Sequence, residues 1–169
     1  MNSLISRDRL VALVGSIRPG IEALLAQYDR NQLHVVVLAD KHAGGGYDVV
    51  YNNSLAGAVA DYPSGKPFHE NAMAKANLSL RTKMDTVDVL THAPQLLQKG
   101  DFLYPGGVYF PGGSVGVSGT HAPMDHAIAA FVAAIIVAEC RIAVEEVQKA
   151  VGAGKASPRL GAAMVPTAA

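Results

Sequence analysis

The run AIAAFVAAIIVA, from Ala127 to Ala138, is apolar throughout, and it constrains the chain more than any other segment. Read as a helix it has no polar face to turn toward water, so it must be covered on several sides, by the chain's own sheet and by a neighbouring subunit. Pro123 suits the first turn of that helix, where a missing N–H costs nothing. At 169 residues the chain has the length of one domain with a real core. Half of its residues are hydrophobic and only 17% are charged, which leaves little polar surface for a small monomer and predicts a homo-oligomer. The 14 basic side chains are matched by 14 acidic ones, so neither nucleic acid nor an anionic membrane is an expected partner. A small-molecule ligand is.

The stretch Met1 to Arg9 carries charges where a signal peptide needs an apolar run, which places the chain in the cytoplasm. Cys140, the single cysteine, excludes an intrachain disulfide and a cysteine-rich metal cage. After Ser6, apolar residues recur at helical spacing, and Pro19-Gly20 should kink or split that helix. LHVVVLA, from Leu33 to Ala39, reads as a buried strand, and a turn at 42–46 leads to a second strand from Tyr47 to Tyr51. Residues 52–66 read as a polar loop. The next helix runs from about Phe68 to Met84 with His69, Met73, Ala76 and Leu80 on one face. Thr86 is expected to cap a further helix through Leu97, interrupted by Pro94. YPGGVYFPGGSVGVSG, from Tyr104 to Gly119, alternates Pro-Gly-Gly turns with short apolar strands and predicts a hairpin. Residues 1–152 form the expected domain, and 153–169 an arm or disordered tail.

Three stretches are together similar to the GlcG/HbpS-like family: LHVVVLAD, the alanine-rich helix ENAMAKANLSLRTK, and the ending GGSVGVSGTHAPMDHAIAA. The family includes haem-binding proteins and the PduO-type carboxy-terminal domain of corrinoid adenosyltransferases. The resemblance implies an α+β, profilin-like fold, an antiparallel sheet flanked by helices. It also implies haem or another tetrapyrrole as the cofactor, and Lys75, the lysine of the family helix, as a holder of a carboxylate or propionate. YNNSLAGAVADYPSG stands where family members carry an Arg-Met-Asp-like motif, and the hairpin at Phe110-Pro111-Gly112-Gly113 is shortened. Both departures reshape the pocket.

The candidate chemistry gathers around the glycine-rich strand end. Gly119 and Thr120, followed by a helix start, can present backbone donors to a carboxylate or oxyanion, with His121 beside them to exchange a proton near neutral pH. Asp125 in the first turn reads as a cap and a complement to the helix dipole. His126 is either a ligand contact or a packed helical residue. His69 is either a histidine packed against apolar neighbours or, with His121, half of an acid–base pair or a pair of haem or metal ligands. Lys75 is either a catalytic or carboxylate-holding cation or a solvated helical charge. Tyr104 and Tyr109 can line a flat ligand or simply pack. His34 and His42 read as structural or exposed, and His92 has no partner. Ser118 lacks the flanking glycine of a hydrolase elbow.

Three functions remain. The first is a binding protein of the GlcG/HbpS type with a tetrapyrrole ligand. The second is a small lyase or isomerase using His69, His121 and Lys75 on a carbonyl or carboxylate substrate. The third, a purely structural subunit, leaves the glycine-rich strand end and its histidines unexplained.

Overall fold

A computed structural model describes residues 5–41, 46–63 and 65–153. The order is α1 (Arg7–Ser16), α2 (Arg18–Ala26), β1 (Leu33–Asp40), β2 (Tyr47–Ala56), α3 (Phe68–Thr82), α4 (Thr86–His92), β3 (Gly107–Phe110), β4 (Gly113–Ser118) and α5 (Ala122–Gly152), with 3-10 turns at Val59–Asp61 and Pro94–Leu96. The four strands form one antiparallel sheet in the order β2-β1-β4-β3. This is an α+β single domain, as the resemblance implies.

Strand alternation sorts the core into two layers. Leu33, Val35 and Val37 join Val115, Val117, Ile128, Val132 and Ile136 on the side of α1, α2 and α5. Val36 and Leu38 point the other way, into Ala72, Ala76 and Leu80 of α3. β1 is thus covered on both faces, which is why its sequence reads as an unbroken apolar run. The close seat of α3 on β4 depends on Gly116, where a Cβ would collide with the Ala72 carbonyl and with Ala76.

Several boundaries differ from expectation for local reasons. The Ser6 hydroxyl caps α1 by accepting from the Arg9 amide at 3.1 Å, and the break falls at Ile17, with Pro19 in the first turn of α2. β2 continues to Ala56 through a segment that reads as loop: Asn52 and Asn53 are exposed, while Ser54, Leu55 and Ala56 are buried and pair with the start of β1. Asp85 precedes α4, and Thr86 is its first residue rather than its cap. The Thr86 hydroxyl instead accepts from the amides of Gly106 and Gly107, both at 3.0 Å, and so ties α4 to the start of β3. The anticipated turn at 42–46 and tail at 153–169 lie almost entirely outside the described residues.

Helix α5 is covered on one side only. Ile128, Ala129, Val132, Ala133 and Ile136 face the sheet, whereas Phe131 and Ile142 are 50% and 51% exposed. Among the described residues α5 is the one helix long and apolar enough to cross a membrane.

Candidate functional site

One end of the sheet collects most of the polar chemistry. β1 begins there, β2 and β4 finish there, and the register sets His34 opposite both Ser54 of β2 and Ser118 of β4. Helix α3 brings His69 to the same place, since the His34 and His69 rings lie 6.0 Å apart, edge to face.

His34 is 3% exposed, a polar ring inside an apolar strand, so both its nitrogens need partners. They have them. Nε2 lies 2.7 Å from Asn52 Oδ1, and Nδ1 lies 3.0 Å from the Tyr62 hydroxyl. An amide oxygen only accepts, so Nε2 carries the proton and Nδ1 accepts from the Tyr62 O–H. Asn52, His34 and Tyr62 therefore form a relay with a fixed direction. Burial pushes the His34 pKa down, partly offset by the Asn52 bond and reinforced by neighbouring His69, which keeps the ring a neutral base at neutral pH. Burial pushes the Tyr62 phenol up, against a smaller opposite effect of a hydrogen bond with Ser54. Phe68 packs on the Tyr62 ring at 5.0 Å and fixes its position.

His69 is half exposed and looks both ways. Nε2 sits 3.7 Å from the exposed Glu70 carboxylate, a loose contact, while Nδ1 is buried with no hydrogen-bond partner. A buried, unpaired ring nitrogen against a polar cluster marks a place where a further polar group belongs.

Lys75 is 1% exposed, so the reading of it as a solvated helical charge is overturned. Its ammonium donates to Asp125 Oδ2 at 2.8 Å and to the Val117 carbonyl at 2.9 Å, and lies 5.4 Å from the centre of the Phe102 ring. Burial lowers its pKa, and the Asp125 carboxylate acts against that. Asp125 is no mere dipole complement either. Its Oδ1 accepts from the Thr120 amide at 2.9 Å and hydroxyl at 2.7 Å, so one carboxylate joins α3, α5 and the end of β4. Gly106, at φ +131°, makes room for the pair, because a Cβ there would sit 2.8 Å from Lys75 Nζ. The lysine is committed to the interior.

His121 stands at the N-cap of α5 without a side-chain capping bond, and its Nε2 accepts from Arg30 at 3.1 Å. His126, on the next turn, has a buried Nδ1 without a partner. Gly119 takes φ +147°, and a Cβ there would strike the backbone of Gln32 and Leu33, so this glycine serves a close strand approach. Thr120 serves Asp125. Tyr109 lies against Lys83, at the carboxy-terminal end of α3 and away from His69, while Tyr104 is 60% exposed and tilts on Phe102.

Sequence reading passed over His34, Asn52 and Tyr62. The signal for His34 was present, since alternation along LHVVVLA puts it on the α3 face with Val36 and Leu38. Neither the family models nor the curated proteins compared with this chain give a match.

Haem, which the resemblance implies, would find no histidine ligand in the apolar hollows described beside α5. The apolar hollows flank α5: one of about 480 Å³ is lined by Ile17, Ile21, Leu24, Met124, Ile128 and Phe131, and another of about 610 Å³ by Val108, Phe110, Val137 and Ile142; neither is lined by histidine. His69 lies against His34, His121 Nε2 is engaged by Arg30, and Lys75 is unavailable to a propionate. Among the described residues no three His, Cys, Asp or Glu side chains converge as a metal site.

Proposed function

We propose that this chain is a small cytoplasmic enzyme of the lyase or isomerase kind, moving a proton on a carbonyl or carboxylate compound bound at the His34 end of the sheet. The observation that carries the reading is the Asn52–His34–Tyr62 relay, whose middle member is neutral, buried and turned toward His69. Asn52 holds the imidazole. Tyr62 takes a proton from the substrate on its oxygen as its own proton passes to His34 Nδ1, and the depressed basicity of His34 favours return of that proton in the second half of the reaction. His69, half exposed beside the His34 ring, supplies the second proton-handling group. The GlcG/HbpS-like resemblance and its profilin-like fold are compatible with the observed layers, and they support a ligand site without naming the ligand.

The test is solvent exchange. A panel of short 2-oxo, 3-oxo and hydroxy acids is incubated with the protein in D2O, and loss of the carbon-bound proton is followed by NMR. Exchange on at least one compound, reduced about 100-fold or more in Tyr62→Phe and in His69→Gln with the fold retained, is expected for a general acid–base site. No exchange across the panel, with no shift of the His34 and His69 ring resonances, overturns the reading.

A further inference from the structure

The uncovered side of α5 carries a pattern that a solvated helix does not. Ala127, Phe131, Ala134, Ala138, Arg141, Ile142 and Glu145 are all exposed. At about 100° per residue they fall within an arc of roughly 100° on one side of the helix. The residues that face the sheet, among them Ile128, Val132 and Ile136, lie opposite. Six of the seven are spaced alternately by four and three positions, from Ala127 through Phe131, Ala134, Ala138 and Arg141 to Glu145, the 3.5-residue period of a helix that packs along another helix.

We infer that this seam pairs with the α5 of a second copy, antiparallel, about a two-fold axis near residue 136. The seam is complementary to itself in that register. Positions whose numbers sum to 272 meet, so Phe131 faces the partner's Arg141, Ala134 faces the partner's Ala138, and Ala127 faces the partner's Glu145. Small residues at the centre allow close approach of the two helices. On either side of them an aromatic ring meets a guanidinium, a favourable cation–π arrangement. Phe131 also has somewhere to go, because the hollow of about 610 Å³ between α5 and β3 is lined by Ala134, Val137, Arg141 and Phe110. A closed, isologous dimer covers the seam completely, with the same patch on both copies. A membrane does not suit it, since the opposite side of α5 is fixed to the sheet and Glu139, Arg141, Glu145, Glu146 and Lys149 occupy its carboxy-terminal half.

The experiment uses the full chain. Sedimentation velocity between about 1 and 100 micromolar, at and above the weak end of the micromolar-to-picomolar range of standard interfaces, is expected to show a dimer, and Phe131→Glu or Ala138→Glu is expected to weaken it by at least about tenfold. Phe131 and Ala138 are exposed in the single chain, so circular dichroism should be unchanged. Register is read by mixing Ala134→Cys with Ala138→Cys, both on a Cys140→Ser background: oxidation of the mixture should yield far more linked dimer than either variant alone. A monomer at all concentrations, a dimer indifferent to both glutamates, efficient linking of Ala134→Cys to itself, or flotation of the wild-type chain with phosphatidylcholine–phosphatidylglycerol vesicles overturns the inference.

Discussion

Removing either member of the Lys75–Asp125 pair should cost far more stability than removing a helix cap. A capping carboxylate in a first helical turn contributes roughly 0.5–2 kcal/mol. Here the side chains of both partners are 2–3% exposed, and the carboxylate also holds the Thr120 amide and hydroxyl. Asp125→Ala strands a buried ammonium with the Val117 carbonyl as its remaining hydrogen-bond acceptor and orphans the Thr120 amide. Breaking a buried pair in this way costs roughly 3–5 kcal/mol. For a chain of this length about 2–4 °C accompanies each kcal/mol, so the thermal midpoint should fall by roughly 6–20 °C. Lys75→Met should fall in the same range. Lys75→Met combined with Asp125→Asn removes both charges while the asparagine oxygen still accepts from Thr120, and the double variant should lose clearly less than the two single losses together. Urea unfolding followed by circular dichroism, with Asp125→Asn also measured alone, gives all corners of the Lys75→Met/Asp125→Asn cycle. Single losses below about 1 kcal/mol, or additivity within about 0.5 kcal/mol, would refute a buried, coupled pair.

Thr86→Val should destabilise by about 1–3 kcal/mol in the same assay, because the amides of Gly106 and Gly107 lose their shared acceptor in a buried position. Gly116→Ala should cost at least about 1–3 kcal/mol by forcing α3 off β4, and an unchanged urea midpoint would contradict the close contact with Ala72 and Ala76. His34 has a lowered pKa when folded, so the unfolded chain takes up its proton first as pH falls; this contribution is intact above about pH 6.5 and declines below it. His34→Gln should flatten the pH dependence of the urea midpoint between about pH 6.5 and 5, and equal slopes in the two proteins would remove burial as the cause.

What could be read from the sequence is what depends on period and on local chain chemistry. The apolar run of β1, the Pro-Gly hairpin and the start of α5 all follow from residues that are neighbours in the chain, whereas the α+β fold is what the resemblance implies. Lys75 shows where that reading stops. Its helical position puts it beside the buried Ala72 and Ala76, yet a lysine in such a place is either a solvated charge or a buried one, and only the partner decides. That partner stands 50 positions away, and its own local signal, an acidic residue in a first helical turn, has an adequate local explanation that conceals the pairing. His34 reads as structural or exposed and is buried, but the partners that fix its tautomer, Asn52 and Tyr62, stand 18 and 28 positions away. The contact of His121 with Arg30, 91 positions away, is likewise invisible in a reading of the helix start alone. Period determines which face a residue takes, but the charge and proton state it keeps there depend on long-range partners, so the layers of this fold were legible and the wiring of its polar end was not.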